Sequence, residues 1–400
     1  MNTKMSEADF QKEWVIHFSA DDYWHSNPHS RHHITEQLHK HYSVLWVNPI
    51  GSRMPSLKKK STTAKVIRKL KSLSKFIRKV SDGYYVTTFI QIPYFREGWL
   101  QRVNKALIRI QLKTATRFLR IRNPLLFYTS PVFAPTLRLI KHRYSVYYYS
   151  DQYTEFREFD EATRAFTISM DRILNENADL IMCASKKIFH SLDKRLHDKS
   201  IYFPHQVDFG FFHNHQPEKI PEEMAAISKP VVGYYGTLTD SNDWDFIRYA
   251  VEYRPHYNFV FIGRKDIQDT GLEHLPNVHF LGKKPFSEIP AYGKCFDVGI
   301  MFWIRREWII NSSPLKLKEY LSLGIPVVST VIEEVQSNYN DIVYSADSKE
   351  VFLEFLDHAI TDRDGQRIQR GIDMVKNDSW YNAVKIIQNE MVKKESLPAG

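Results

Sequence analysis

Residues 312–330 read Ser-Ser-Pro-Leu-Lys-Leu-Lys-Glu-Tyr-Leu-Ser-Leu-Gly-Ile-Pro-Val-Val-Ser-Thr. The pattern predicts a helix over Pro314 to Leu323, since proline suits a helix start and Gly324 suits the left-handed residue that stops it. Pro326 to Thr330 then reads as a short, buried, β-branched strand. The same alternation continues outward. VVGYYG (231–236), NFVFIG (258–263), NVHFLG (277–282) and FDVGIMF (296–302) are strand candidates upstream, and DIVY (341–344) is one downstream. Helices fit between them: Asp243 can cap one through Trp244, Ile247 and Val251, and Pro285 to Lys294 makes a short one. Strand and helix in strict alternation predict a doubly wound parallel α/β sheet.

The first half repeats the plan in looser form, with WVIHFSA, SVLWVNP, YYVTTFI, PLLFYTS, SVYYYSD, ADLIMCAS and SIYFPH as strand candidates. A chain of 400 residues favours two domains over one core. The polar, proline-bearing segment HNHQPEKIPEE (213–223) suits a linker. The expected division is therefore an N-terminal Rossmann-like domain over 1–212, a linker over 213–228 and a C-terminal Rossmann-like domain over 229–375. A last helix over 376–400 is expected to pack back on the N-terminal domain.

Composition narrows the functions. Hydrophobic residues make up 43% and charged ones 25%, which fits a packed globular protein. The apolar run Val298 to Ile304 stops at Arg305 and Arg306, far short of the roughly 18–20 residues of a spanning helix. The first residues lack a basic start followed by an apolar stretch, so the expected address is cytoplasmic. Cys183 and Cys295 stand alone, which excludes a disulfide framework and a cysteine zinc site; both read as small buried apolar residues. The seventeen histidines, His25, His29, His32, His33, His39 and His41 among them, match no metal-ligand spacing, and no metal is expected. Neither a Gly-x-Gly-x-x-Gly fingerprint nor a Walker phosphate loop is present, which argues against dehydrogenases and phosphate-loop NTPases.

The net charge of +9 is local. Between 58 and 122 eighteen Lys or Arg face two acids, Asp82 and Glu97, so the rest of the chain is net negative. Val66, Leu70, Leu73, Ile77 and Val80 recur at helical spacing among basic residues, which predicts a basic amphipathic helix. A second is expected at about 99–120, where Arg102, Lys105, Arg109, Lys113, Arg117 and Arg120 form a stripe. Such helices suit an anionic membrane surface, the alternative being a solvated helix face. No nucleic acid is expected, because no recognition motif accompanies the charge.

Ligands of open α/β sheets bind beyond the carboxyl ends of the strands. A helix starting near Pro314 offers free backbone N–H groups and a positive dipole end to a diphosphate. Lys316 in its first turn adds a full charge, and Glu319 lies three residues on, within reach of the same ligand. The alternative is an ordinary surface Lys–Glu pair.

The run 312–330 resembles the nucleotide-binding signature of GT-B glycosyltransferases. VGYYGTL, LPNVHFLGKKPFSEIPAY and FDVGIMFW resemble, in order and spacing, the C-terminal domain of family 4-like enzymes. SADDYWHSNPHSRHHITEQL, VYYYSDQYTEF, ADLIMCASK and FPHQVDFGFF are similar to the other half of transferases that make bacterial surface polysaccharides, so the likeness covers nearly the whole chain. The Ser-Asp after a central strand and the Ser-Ser before a lysine-bearing helix are similar to xanthan-type glucuronosyltransferases.

The resemblance implies a GT-B fold of two Rossmann-like domains facing across a cleft, the N-terminal one binding the acceptor and the C-terminal one the nucleotide-sugar. It implies a glycosyltransferase moving a sugar from a nucleotide-sugar donor, UDP- or GDP-linked, to a lipid-linked or polysaccharide acceptor at the cytoplasmic membrane face. No cofactor is implied, the nucleotide-sugar being a substrate. Glu319 would accept hydrogen bonds from the ribose hydroxyls, with Lys316, Leu315, Pro314, Ser313, Asn311, Gly236 and Arg264 completing the donor contacts. Asn311 stands where family 4 has the first acid of its Glu-x7-Glu element, and GTLTDSND lacks that family's Arg/Lys pair. Phosphate neutralisation then falls to Lys316, with Arg305, Arg306 or Lys318 as candidate helpers. Asp151 matches the general base of the xanthan-type relatives; its alternative is a turn or capping aspartate. Arg31 is a candidate contact for acceptor or diphosphate. Rival functions are a GT-B sugar-nucleotide 2-epimerase and a degenerate transferase serving as a scaffold.

Overall fold

The computed structural model describes residues 13–24, 28–49, 76–92, 99–150, 161–216, 219–306, 309, 312–361 and 365–396. Asp151, Asn311 and most of the first expected basic helix lie outside the described residues. The chain forms two compact units, one of residues up to Phe203 together with those from Tyr381, the other Pro204–Trp380.

The first unit holds an eight-stranded sheet: β1 Trp14–Phe18, β2 Ser43–Asn48, β3 Ile77–Ser81, β4 Tyr84–Thr88, β5 Leu125–Tyr128, β6 Tyr144–Tyr149, β7 Leu180–Cys183 and β8 Ser200–Tyr202. The spatial order is β3-β4-β2-β1-β5-β6-β7-β8, and every pairing is parallel except β3 with β4. β1, β2, β5, β6 and β7 are buried along their whole length, as expected of strands covered on both faces. The helix Trp99–Phe118 buries Asn104, Ile108, Leu112 and Ala115 and turns its basic stripe outward. The helix Tyr381–Ser396 packs on the helix Ser30–His39. Gln388 reaches the Tyr42 hydroxyl, His41 stacks on Tyr381, and Arg143 grips Glu395 through Nε at 2.5 Å and Nη2 at 3.0 Å.

The second unit holds a six-stranded, all-parallel sheet: β9 Val231–Tyr235, β10 Asn258–Ile262, β11 Val278–Gly282, β12 Val298–Met301, β13 Val327–Thr330 and β14 Tyr344–Ala346, in the order β11-β10-β9-β12-β13-β14. Leu315–Leu323 is the expected helix, with Pro314 at its N-cap position. Gly324 stops it at φ +72°, donating its N–H back to Leu321 O. Asp243 caps Trp244–Tyr253 by accepting the Phe246 N–H.

Four expectations are corrected. Residues 77–81 form an edge strand rather than the end of a helix: β3 pairs with β4, and Ile77 packs against the core while Arg78 and Lys79 stay near the surface. The last strand begins at Tyr344, since Ile342 and Val343 still bond back to Tyr339 O at the end of the preceding helix. The chain passes between units at Phe203/Pro204, not in 213–228. Val207, Phe212 and Met224 are buried in the second core, and Lys284 and the Tyr292 hydroxyl both hold Glu223, so this polar segment is part of that unit. Cys183 is buried as expected, but Cys295 is only half-buried, its Sγ donating to Ala291 O.

Candidate functional site

Each sheet reverses its strand order once: between β1 and β5 in the first, between β9 and β12 in the second. Loops leaving the carboxyl ends of such strands diverge and leave room for a ligand.

In the second unit the switch point is built around Gly236 and Lys316. Gly236 follows β9 and Gly263 follows β10, both at φ +149°. A Cβ on Gly263 would lie 1.8 Å from Gly236 O, so the two backbones can run this close only without a side chain. A Cβ on Gly236 would meet the end of Lys316, 2.3 Å from Cε and 2.8 Å from Nζ, which places that ammonium against the β9 turn. Lys316 Nζ sits 5.6 Å from the ring centre of Tyr234 and 5.7 Å from that of Trp303. Trp303 is clasped by Thr330, whose hydroxyl accepts the Trp303 N–H at 3.0 Å and donates to its carbonyl at 2.9 Å. Ring faces thus hold the lysine, and among the described residues no carboxylate lies within ion-pair distance of it.

Glu319, one turn along, is only 6% exposed. Burial raises its carboxyl to about 7, with the Lys316 charge and the Tyr235 hydroxyl pulling the other way. Ser313 is buried, while Pro314 and Leu315 are half-buried at the helix start. Lys318 faces elsewhere: it is buried against Asp378 at 2.5 Å, so its ammonium is committed and it does not join the donor site. Burial lowers the Lys318 ammonium despite that partner. Arg264 is exposed and forks onto Asp266, through Nε at 2.7 Å and Nη2 at 2.5 Å. Arg306 donates to Ser241 Oγ at 3.1 Å, and Arg305 is exposed.

In the first unit the switch point is a polar cluster. His17, fully buried on β1, bonds Thr129 Oγ1 through Nε2 at 3.0 Å and Thr35 Oγ1 through Nδ1 at 2.8 Å. Burial, then the neighbouring His32 and Arg31, holds this imidazole neutral and well below its ordinary range. The Thr35 hydroxyl donates to Arg31 O, which fixes the helix turn that carries Arg31. Arg31 then bridges the ends of two strands, with Nη1 2.8 Å from Asp21 Oδ1 and Nη2 3.1 Å from Ser150 Oγ. Its charge is therefore met by Asp21 rather than held open for a diphosphate.

The structure brings the candidates Gly236 and Lys316 together at one switch point, with Glu319 a turn along, and places Arg31 at the other; Tyr234, Trp303, Thr330 and Asp21 stand beside them without having been singled out in the sequence. Their common signal is position, each lying at or just beyond the carboxyl end of a strand. Among the described residues no group of three or more His, Cys, Asp or Glu is arranged to hold a metal ion.

No family model matches the chain. A Bacillus subtilis protein described as a glycosyltransferase of teichuronic acid biosynthesis, TuaH, is 27% identical over 176 residues, 42% of this chain and 44% of that protein. The match thus spans less than half the length of this curated relative. Among solved structures, Anabaena Alr3699/HepE in complex with UDP and glucose superposes with a TM-score of 0.65 at 14% identity, over 96% of this chain and all of that one. An Escherichia coli trehalose-6-phosphate structure bound with UDP-2-fluoro glucose gives 0.64 at 12% identity, over 95% and 99%. A glycosyltransferase of Rickettsia africae gives 0.64 at 12%, over 96% and 100%. These likenesses show the fold, which is GT-B.

Proposed function

We propose that this chain is a glycosyltransferase that takes a sugar from a nucleotide-sugar donor, UDP- or GDP-linked, and passes it to a lipid-linked or saccharide acceptor of a surface polysaccharide. The observation that carries the reading is Lys316 Nζ, held over Tyr234 and Trp303 against the β9 turn at the switch point. An ammonium kept in place by ring faces leaves its charge for an anion, and the amides at the start of the 315–323 helix add to it. As the anomeric C–O bond to the diphosphate breaks, charge develops on the leaving oxygen, and a fixed cation there stabilises the transition state. No metal ion is needed for that step.

Asp151 is the proposed base. It takes the proton of the acceptor hydroxyl while the new glycosidic C–O bond forms and the nucleoside diphosphate departs, so the product anomer is inverted. Asp151→Asn should lower turnover at least about a hundredfold with donor affinity unchanged. A retained anomer by NMR would remove Asp151 from the mechanism.

The site of action is proposed to be the cytoplasmic face of the membrane. No described helix is long and apolar enough to cross one. The 99–118 helix exposes Trp99 and Ile110, at 70% and 63%, beside Arg102, Arg109 and Lys113, a combination that suits the headgroup region of an anionic bilayer.

A thermal-shift panel of UDP-, GDP-, CMP- and dTDP-sugars tests the whole reading. A true donor at 100 times its dissociation constant should stabilise the protein by about 2.7 kcal/mol. Glu319→Ala should weaken that donor roughly 10- to 150-fold, and no shift with any member of the panel would refute donor binding.

A further inference from the structure

Lys318 and Asp378 are not used by the donor reading, yet Lys318 sits on the element that carries it. The helix Leu315–Leu323 is nine residues long and brings Lys316 and Glu319 to the switch point. At about 100° per residue, Lys318 leaves this helix roughly 200° away from Lys316, on nearly the opposite side. There, 4% exposed, it meets Asp378 Oδ2 through Nζ at 2.5 Å. The buried Glu334 carboxyl, which accepts the Asn338 amide at 2.9 Å, acts on the Lys318 charge in the same sense.

Asp378 is itself fixed. Its N–H donates to Val375 O where the helix Gly365–Val375 ends, and the next N–H, of Ser379, donates to Gln206 Oε1 at 3.2 Å. Gln206 is 5% exposed and donates its amide to Pro204 O at 2.8 Å. The first and last residues of the second unit thus meet here, and the ion pair joins them to the donor helix.

Stability is a weak reason for such a pair. Burying two charges costs about as much in desolvation as their attraction returns, and apolar residues of similar volume often serve as well. What a short charged contact adds is a set length and direction. Further holds on the helix come later along it. Tyr320 packs over Gly299, where a Cβ would come within 2.9 Å of its ring, and its hydroxyl accepts the Tyr235 N–H at 3.3 Å. Leu321 fits against Gly371, and Ser322 O accepts from His213 Nδ1 at 3.0 Å. Lys318 holds the helix nearer its start, where Lys316 meets Gly236 and the rings of Tyr234 and Trp303.

We infer that Lys318 and Asp378 are positioning residues: their contact sets the rotation and height of the helix Leu315–Leu323, and through it the place of the Lys316 ammonium against the β9 turn. This rests on the transferase reading, in which that ammonium meets the leaving diphosphate. A misplacement of about 1 Å at such a point can cost on the order of a hundredfold in rate.

Two substitutions of the full chain separate positioning from stability. Lys318→Met combined with Asp378→Leu removes both charges and should melt within about 4 °C of the wild type. Asp378→Glu keeps both charges at a partly exposed position but lengthens the contact, and should melt likewise. A merely structural pair would leave function intact in both. Instead, turnover with the donor found by the thermal-shift panel should fall roughly ten- to a hundredfold in the double variant, with a smaller change in Michaelis constant, and severalfold in Asp378→Glu. The place of Lys316 is read without donor by reductive methylation with ¹³C-formaldehyde. Its dimethylammonium signal, assigned by its loss in Lys316→Arg, should lie upfield of ordinary lysines because it stands over two rings, and should move toward them in both variants. A wild-type Lys316 signal in either variant, melting normally, overturns the inference, and so does normal turnover in the double variant. A wild type that binds no nucleotide-sugar, with the Lys316 signal moving as described, would count against the donor reading and leave the positioning role standing.

Discussion

At the switch point of the first sheet a guanidinium is cancelled by a carboxylate, Arg31 on Asp21 at 2.8 Å. At that of the second, an ammonium lies over two aromatic rings, and among the described residues it has no ion-pair partner. Similar topology thus carries opposite electrostatics. An ion pair fixes its members and lends little charge to a newcomer; a cation on ring faces is held in place while its field stays open. The contrast is what favours the second unit over the first for the proposed anionic donor.

Substitution of the two cations should break that contrast most sharply. Lys316→Ala should lower turnover about 10²- to 10³-fold, with a smaller effect on donor affinity and little on melting. A change in Michaelis constant alone would contradict its role. Arg31→Ala should do the reverse, leaving Asp21 buried without its counter-ion at a cost of about 3 kcal/mol in stability while donor affinity by calorimetry holds. If both variants lose donor binding alike, the two ends are not differently designed.

A pH series sharpens the second unit. Folding lifts the Glu319 carboxyl from its ordinary 4.5 to about 7, so the native state favours the protonated form. That contribution is complete below about pH 4.5 and is lost as pH rises through 7. Glu319→Gln, neutral throughout, should melt like the wild type near pH 4 and be more stable by about 3 kcal/mol near pH 8.5, without donor. Parallel curves would show that the carboxylate ionises freely.

The smallest expected effect concerns the 99–118 helix. Arg109→Ala should leave melting within about 0.5 kcal/mol and reduce binding to anionic vesicles by about 1 kcal/mol, roughly fivefold. Equal wild-type binding to neutral and anionic vesicles would leave its basic stripe a solvated face.

How legible each feature was follows from the range of the interactions that create it. VVGYYG, NFVFIG and PVVST read as strands because burial on both faces demands continuous apolar runs, and Gly324 read as a stop because only its backbone allows that turn. Ile77 to Ser81 misled because an edge strand is only half covered, so its Ile-Arg-Lys-Val fits a helical stripe equally well until β4 pairs with it. The polar stretch around Lys219 looked like a linker because it is exposed and carries prolines, while Phe212 and Met224, which tie it to the second core, lie at its two edges. In the site, Lys316 and Glu319 share one helix and announce each other by spacing. Arg31 and Ser150 meet across 119 residues, and the Thr330 clasp on Trp303 joins two strands; no local pattern encodes either.

The helix Tyr381–Ser396 completes the first unit, although all of the second unit precedes it in the chain. During synthesis the first sheet emerges early, but its closing piece leaves the ribosome only after all of 204–380, roughly 10–35 s later at ~5–20 residues per second. For that interval the surface destined for Ala383, Val384, Ile387 and Met391 stands uncovered while the second core collapses. The nascent chain thus spends its most aggregation-prone moments with one domain waiting on the other, and a stop codon just before 381 would make that wait permanent.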